Sequence, residues 1–278
     1  MTNSTDTILV LGATGKVGRR LVPALRAAGR RVRVVSRTGA ARFDWAEQDT
    51  WARALDGIGA VHLLAPEDPA LAEPFVRQAV DAGVRRFTAL SGRGVDRAPA
   101  DTFRGMTAGE KAVRESGVEW TVLRPNNFHQ NFDEDLWRAP LRAGRLALPA
   151  GDVPEPFVDV RDIADVAAVL LTSRGLQGEV YELTGGRALT FADAVAEIAR
   201  AAERPIAYEE LTPEEYRAEL LEEGFAKEAV HELDALFAVM RDGHTAAPGD
   251  TVARLLGREP VSFTEYAARA AASGAWSR

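Results

Sequence analysis

The chain has 278 residues and a formal net charge of −7, from 41 acidic and 34 basic side chains. It contains no cysteine, which excludes a disulfide scaffold, a thiolate nucleophile and a thiolate-bound metal. The four histidines form no HExxH pair, so no metal site is predicted, and the acidic balance argues against nucleic acid or an anionic membrane as the main partner.

The first seven residues lack the basic and apolar segments of a secretory signal. The longest apolar run, at 166–171, is far shorter than the roughly 20 residues that a membrane-spanning helix needs. We therefore expect a cytoplasmic protein that binds a small-molecule substrate, contacts no membrane, and is a monomer or a homodimer.

Short β-branched segments alternate with helical patterns as far as Pro125. The predicted strands lie at 7–11, 31–36, 41–44, 60–64, 86–90 and 120–123. The predicted helices lie at 16–28, 50–55, 70–82 and 104–115. Strands separated by helices of this length indicate parallel βαβ units, so the predicted fold class is α/β with a doubly wound parallel (Rossmann) sheet.

The pattern changes after Pro125. Proline and glycine are frequent between 140 and 156, which predicts a loop with short strands. A helix at 160–172 and a strand at 180–183 are predicted to add a seventh strand to the sheet. Beyond Gly186 the pattern is almost entirely helical, with helix-start signatures at Thr190, Thr212 and Ser262.

A glycine-rich segment, Gly12-Ala-Thr-Gly15-Lys-Val-Gly18, separates the first strand from the first helix. Gly12 permits a tight turn, Gly15 lets the backbone approach a pyrophosphate, and Gly18 lets the helix pack on the strand. The helix amino terminus adds unpaired N–H groups and a positive dipole end. This glycine loop (residues 12–18) therefore predicts a dinucleotide site, with contacts from Gly12, Thr14, Gly15, Lys16, Val17 and Gly18.

The end of the second strand distinguishes the two nicotinamide dinucleotides. An NAD-binding protein commonly has Asp or Glu there to hold the ribose 2′-hydroxyl. This chain has Ser36 and Arg37 instead, and an arginine pairs with a 2′-phosphate through two parallel hydrogen bonds. The sequence therefore predicts NADP(H) as the cofactor. Further predicted contacts are Leu64, Ala65 and Asp44, the last as an adenine contact or a helix cap.

The glycine loop, Arg37 and the segment Val118-Glu-Trp-Thr-Val-Leu-Arg-Pro125 together resemble the NmrA-like group of atypical short-chain dehydrogenases. A narrower resemblance, to bacterial relatives of ergot-alkaloid reductases of the festuclavine dehydrogenase type, lies in Arg42-Phe-Asp-Trp45, Glu179-Val-Tyr-Glu-Leu-Thr184 and Gly257-Arg-Glu-Pro260. The resemblance covers nearly the whole chain. It implies NADPH as hydride donor and a substrate cleft between the Rossmann domain and the C-terminal helices.

Short-chain dehydrogenases place Tyr-x-x-x-Lys on the helix that here carries Thr107-Ala-Gly-Glu-Lys111. Residues four apart share a helix face, so we expect Thr107 and Lys111 to face one cleft, with Lys111 also near the cofactor ribose. A threonine hydroxyl is too weak an acid to replace the phenol. Three alternatives follow: Lys111 donates the proton, the acceptor is an iminium ion that needs none, or the protein binds cofactor without turnover.

Residues at the ends of the later strands are further candidates. Ser91 and Gly92 follow the strand at 86–90, where doubly wound sheets bind ligands, and we expect them to contact the substrate. Ser91 is also a predicted contact of the nicotinamide ribose. Asn127 and Phe128 are predicted to line the nicotinamide end, Asn127 as a contact of both cofactor and substrate.

Two other side chains each allow two interpretations. An imidazole can give or take a proton, so His129 is a second candidate proton donor, with a packing role as the alternative. Trp137 is a candidate wall for an aromatic substrate, with a place in the core as the alternative.

These features predict three regions and one activity. The regions are an NADP-binding Rossmann domain over residues 1–150, a returning strand–helix–strand segment over 151–185, and a helical substrate-binding part over 186–278. The activity is hydride transfer from NADPH to a small apolar cyclic or aromatic acceptor (iminium, carbonyl or activated C=C) in secondary metabolism. An NADPH quinone reductase and a non-catalytic NADP(H)-sensing regulator are the alternatives.

Overall fold

A parallel sheet lies at the centre of the protein. The computed structural model describes residues 7–39 and 41–277. Its strands are β1 Thr7–Val10, β2 Arg31–Val34, β3 Ile58–Leu64, β4 Arg86–Leu90, β5 Glu119–Pro125, β6 Arg145–Leu148, β7 Glu179–Leu183 and β8 Ala207–Glu210. Six of them form one parallel sheet in the order β2-β1-β3-β4-β5-β7, and β6 pairs in parallel with β8.

Helices cover both faces of the six-stranded sheet. They are α1 Gly18–Ala27, α2 Asp49–Leu55, α3 Ala72–Asp81, α4 Arg104–Arg114, α5 Arg138–Ala143, α6 Val160–Thr172, α7 Phe191–Ala201, α8 Pro213–Glu222, α9 Lys227–Arg241, α10 Thr251–Leu256 and α11 Phe263–Ala272. Side chains alternate along a strand, so Ile8 and Val10 pack against α1 and α6, while Leu9 packs on the side of α2, α3 and α4. The predicted doubly wound α/β fold is confirmed.

The parallel direction of the strands places the loops that follow them at one edge. The glycine loop follows β1, residues 65–68 follow β3, and residues 91–97 follow β4. The segment that leaves β5 runs along the same edge. In a doubly wound sheet this carboxyl edge is where ligands bind, so the fold gathers the candidate residues there.

A second core lies outside the sheet. Phe132, Phe191, Phe263 and Trp276 are almost fully buried in it, together with side chains from β6, α8 and α9. The helices of this part start as the sequence predicts. The hydroxyls of Thr190, Thr212 and Ser262 each accept a hydrogen bond from the backbone N–H three residues on.

Among the described residues, one predicted strand is absent and one observed strand was not predicted. The predicted strand at 41–44 is wrong: Phe43 N–H donates to the Ser36 carbonyl at 3.0 Å, so this segment folds back on the end of β2 and forms isolated bridges. The sheet formed by the described residues consequently has six strands rather than the predicted seven. Strand β8 lies in a region predicted as helical. Its Ala-Tyr-Glu-Glu sequence has no β-branched run that would predict a strand, and its strand conformation is stabilised by hydrogen bonds to β6.

The three predicted regions remain a prediction about domain boundaries. In the structure β6, which precedes residue 150, packs with the later helices α7 and α8 rather than with the six-stranded sheet. Among the described residues there is no helix with both the length and the apolar composition needed to cross a bilayer.

Candidate cofactor and substrate site

The glycine loop is shaped by close contacts that leave no room for side chains. Gly12 has a φ of +66°, and a Cβ there would lie 2.4 Å from Leu64 Cδ2 at the end of β3. A Cβ on Gly18 would lie 2.2 Å from the Gly12 carbonyl oxygen. At Gly18 the clash is with backbone, which would have to move, whereas at Gly12 the left-handed φ strains any residue other than glycine.

The amino terminus of α1 is open to an anion. No side chain of the described residues caps it, and its first turn holds no acidic residue. The backbone N–H groups of Thr14, Lys16 and Val17 have no acceptor among the described residues. Together with the exposed backbone at Thr14 and Gly15, these donors fit a dinucleotide pyrophosphate.

Residues after β2 are placed for the adenosine end of a cofactor. Arg37 is exposed and has no ion-pair partner among the described residues, and Ser36 is half-buried beside it. The Asp44 carboxylate accepts a hydrogen bond from Ala46 N–H at 3.0 Å, which fixes its own turn. That contact favours a structural, capping role for Asp44 over a contact with the adenine.

A cleft of about 290 Å³ opens at the carboxyl ends of β4 and β5, beside the glycine loop. We call it the central cleft. The polar residues at its floor are Ser91, Asn127, Glu155 and Thr245. Its apolar wall is formed by Met106, Phe128, Leu236, Val239 and Met240, of which the last three belong to α9. Gly92 also lines it.

A larger cavity, of about 710 Å³, lies at the opposite edge of the sheet. It is lined by Thr7, Arg30, Arg85 and Arg174, at the amino ends of the strands. Parallel sheets bind ligands at the carboxyl ends of their strands. The central cleft, which adjoins the glycine loop, is therefore the candidate site.

The Lys16 side chain extends from the glycine loop across one side of the central cleft. Its Nζ donates to Asn131 Oδ1 at 2.7 Å and forms an ion pair with Asp135. It also lies 5.5 Å from the centroid of the Phe128 ring. Lys16 thus ties the cofactor loop to the segment that leaves β5, and both predicted contacts, Lys16 and Phe128, line the cleft.

Ser91 is held by a buried ion pair that the sequence did not single out. Ser91 Oγ donates to Glu110 Oε1 at 2.6 Å. Arg124 donates to both oxygens of Glu110, at 2.8 and 2.7 Å, and to Asp96 at 2.9 Å. Because Ser91 spends its only proton on Glu110, its oxygen is free to accept from a ligand in the cleft.

The expectation that Thr107 and Lys111 face the cleft is wrong. Both side chains are exposed and neither lines the cleft. The inward face of α4 is set by Gly105 and Gly109, where a Cβ would lie 2.0 Å from the Pro66 carbonyl oxygen and 3.0 Å from Ala65 Cβ. At about 100° per residue, this phase turns positions 107 and 111 towards solvent.

The positions of α4 that face the cleft each lie one residue before the predicted Thr107 and Lys111. Met106 lines the cleft and Glu110 contacts Ser91, so the i, i+4 pair that faces the site is Met106 and Glu110. The signal available in the sequence was the pair of glycines at 105 and 109, which marks a close approach of the helix to its neighbours.

His129 is not a cleft residue. Its ring is 1% exposed, its Nε2 hydrogen-bonds with the Phe157 carbonyl at 2.9 Å, and it packs against Phe263 and Tyr266. The Asp159 carboxylate lies 3.8 Å from its Nδ1. The interpretation of His129 as a proton donor is therefore wrong, because the side chain has no access to a ligand in the central cleft.

Trp137 is likewise a core residue. It is 4% exposed and its ring packs against Phe132 and Phe191, with centroid distances of 4.9 and 5.0 Å. It lies outside the central cleft. The prediction that it forms a substrate wall is wrong, and the apolar wall comes from α9 instead.

Comparison with known proteins identifies relatives that bind NAD(P)H. A family model described as NAD(P)H-binding matches residues 12–174. The chain is 35% identical to a (4-alkanoyl-5-oxo-2,5-dihydrofuran-3-yl)methyl phosphate reductase of Streptomyces griseus, over 94% of this chain and 96% of that protein. It is 28% identical to agroclavine dehydrogenase of Claviceps fusiformis, with the same shares covered.

A similar solved structure is an NADPH-dependent quinone oxidoreductase from Escherichia coli. It aligns with a TM-score of 0.81 and 22% identity, over 94% of this chain and 98% of that chain. At this identity the alignment supports the fold alone.

Proposed function

The chain belongs to the NAD(P)H-binding, NmrA-like family of oxidoreductases, and on that premise we propose that it transfers hydride from NADPH to a small apolar acceptor. The family resemblance seen in the sequence is thereby confirmed. One observation supports the proposal above all. The glycine loop and the central cleft adjoin at one edge of the sheet, so a dinucleotide on the loop extends into an apolar-walled site.

The preference for NADPH over NADH rests on the residues after β2. Arg37 is exposed, and residues 35–39 contain no carboxylate that would accept from a ribose 2′-hydroxyl. A guanidinium in this position binds a 2′-phosphate through charge-assisted hydrogen bonds.

The residues of the site bind and orient the reactants. The dinucleotide supplies the hydride when bound. The amides of the glycine loop bind its pyrophosphate, and Ser91 Oγ, oriented by Glu110, accepts a hydrogen bond from its ribose or carboxamide. The α9 side chains exclude water from the acceptor and favour an apolar one.

The proposed acceptor classes are an iminium ion, a carbonyl and an activated C=C bond. The likeness to agroclavine dehydrogenase supports a role in secondary metabolism as part of this proposal. A phosphorylated acceptor, as in the name of the Streptomyces relative, is disfavoured. Among the described residues, the two cations that line the cleft, Lys16 and Arg93, already form ion pairs with Asp135 and Glu182.

A cofactor sensor without turnover is the rival function, since the usual tyrosine is absent and Lys111 faces solvent. The test is to follow loss of NADPH absorbance with a panel of cyclic imines, enones and quinones, with NADH in parallel. We expect turnover with at least one class, and less with NADH. Tight NADPH binding without oxidation by any acceptor would favour the sensor.

A further inference from the structure

A carboxyl group is buried at the floor of the central cleft. Glu155 is 1% exposed and lies beside Asn126, the residue that follows β5. The Thr245 hydroxyl donates to Glu155 Oε1 at 2.6 Å, and Asn126 Nδ2 donates to Oε2. Both donors line the cleft, and of the two Thr245 carries a hydroxyl proton.

The arginine nearest this group is neutralised by other partners. Arg93 forms an ion pair with Glu182 at 2.8 Å and donates to the carbonyls of Thr245 and Ala247, both at 2.9 Å. It reaches the carboxyl network only through Asn126 Oδ1, at 3.3 Å.

Within residues 7–39 and 41–277, the other walls bring no unpaired charge to Glu155. Lys16 is paired with Asp135 on the glycine-loop side, the lining residues of α9 are apolar, and His244 is exposed. Burial dominates and raises the pKa of the Glu155 carboxyl to about 7. The hydrogen bond from Thr245 opposes this rise most, followed by Asn127, the charge of Arg93 and Asn126.

A neutral acceptor needs a proton as well as a hydride. Thr107, Lys111 and His129 do not reach the cleft, and the Ser91 proton is held by Glu110. Protonated Glu155 can instead donate to the Thr245 oxygen, which turns the Thr245 proton towards the cleft.

Resting on the proposed reductase function, we propose that Glu155 and Thr245 form a proton relay for neutral acceptors in the central cleft. The acceptor gains two electrons and one hydrogen as hydride from NADPH, which becomes NADP⁺. Its developing oxyanion takes the Thr245 proton, and the Thr245 oxygen takes the proton of Glu155. Glu155 is left as the carboxylate and is reprotonated from solvent after the product leaves.

The test compares a neutral acceptor with a cationic one. A cyclic enone needs the relay, whereas an N-alkylated cyclic iminium ion becomes a neutral amine on hydride transfer alone. In Glu155→Gln and Thr245→Val we expect kcat for the enone to fall about 100-fold, a typical contribution of general acid catalysis. The iminium rate should stay near that of the wild type, and Thr245→Ser should restore the enone rate.

The matched control is Glu197→Gln. Glu197 is also a buried glutamate that accepts from a threonine hydroxyl, Thr264, and pairs with Arg187, but it lies outside the central cleft. The enone rate should be unchanged in this variant.

Two readouts separate a relay from a structural role. With the enone, wild-type kcat should fall as pH rises through about 7, and this fall should be absent in Glu155→Gln. In an infrared difference spectrum of wild type minus Glu155→Gln, the carbonyl stretch of a protonated carboxyl should be present below that pH, with or without NADPH. The signal of Asp133, whose pKa burial raises to about 6, cancels between the two proteins.

The outcomes distinguish the relay from the reductase itself. If the wild type reduces the iminium ion and Glu155→Gln reduces the enone at the wild-type rate, the relay is wrong and the reductase stands. Equal losses with both acceptors make Glu155 a structural residue and also overturn the relay. A wild type that reduces neither acceptor overturns both proposals.

Discussion

The glycine loop and the central cleft adjoin, but they are built in opposite ways. The loop is seven consecutive residues whose function lies in the backbone and in missing side chains. The cleft is built from side chains of segments far apart in the chain, from Lys16 to Thr245, and one of them, Ser91, is held by the buried carboxylate of Glu110. The comparison suggests that cofactor binding is encoded locally, whereas the chemistry depends on tertiary structure.

The largest expected effect breaks the tertiary support of the cleft. In Glu110→Ala, Arg124 loses its bidentate partner while its side chain is only 13% exposed. We expect the free energy of unfolding to fall by about 3–4 kcal/mol, the lower part of the range for breaking a buried pair, because Arg124 keeps its ion pair with Asp96. Denaturant unfolding measures this, with the exposed Glu115→Ala on the same segment as the control. Equal losses in the two variants would show that the pair is not a support.

The next effect concerns pH and the second buried carboxyl. Glu155 has a pKa of about 7 in the folded protein against 4.5 for an unperturbed glutamate, so the folded state binds more protons between these values. Its contribution to stability is therefore complete below pH 4.5 and is lost as pH rises through about 7. Relative to Glu155→Gln, the wild type should lose about 3 kcal/mol over this range. Parallel stability curves would contradict the shift.

A single added methyl group tests the glycine loop. Gly18→Ala places a Cβ 2.2 Å from the Gly12 carbonyl oxygen, so the loop must open. We expect the Kd for NADPH to rise about 100-fold, since overpacking against backbone costs up to about 3 kcal/mol. Gly186→Ala is the control, because the same Cβ there meets no atom closer than 3.9 Å. Unchanged NADPH affinity in Gly18→Ala would place the cofactor elsewhere.

A charge reversal next to the loop tests which dinucleotide is bound. In Arg37→Asp we expect the Kd for NADPH to rise about tenfold or more, because a charge-assisted pair with the 2′-phosphate is lost. The Kd for NADH should not rise, since NADH lacks that phosphate. Fluorescence titration with both nucleotides measures this. If neither value changes, Arg37 does not select the cofactor.

The smallest expected effect is at Lys111. Its side chain faces solvent, so Lys111→Ala should leave kcat/KM within about twofold of the wild type, as for most surface substitutions. Steady-state kinetics with the preferred acceptor measures this. A fall in kcat/KM of tenfold or more would show that Lys111 acts in the site and would contradict the observed orientation of α4.

The sequence predicted the fold and the glycine loop closely because their signals are local. The strand predicted at 86–90 has the bounds of β4, and the capping residues Thr190, Thr212 and Ser262 start α7, α8 and α11. β-Branched runs, caps and glycines affect the conformation of the residues next to them, so their effect can be predicted from the sequence without knowledge of tertiary contacts.

The central cleft was less predictable because it depends on helix phase and on distant partners. Which face of α4 points to the cleft is determined by the close contacts of Gly105 and Gly109 with their neighbours. A difference of one residue in this orientation puts Glu110, rather than the predicted Lys111, on the cleft side of the helix. Glu155 and Thr245 are 90 positions apart, and no local pattern joins them. His129 can transfer a proton and Trp137 can contact an aromatic substrate, which made both candidates for the cleft, but packing against aromatic neighbours buries both side chains.

Hydride transfer itself is the central claim, and isotope labelling tests it directly. The protein is mixed with NADPH that carries deuterium at the reactive nicotinamide carbon and with the cyclic iminium ion, for a single turnover. Mass spectrometry of the product should show one deuterium on the former iminium carbon, in step with formation of NADP⁺. Stoichiometric NADPH binding without deuterium in any product would contradict a reductase and leave a protein that only binds the dinucleotide.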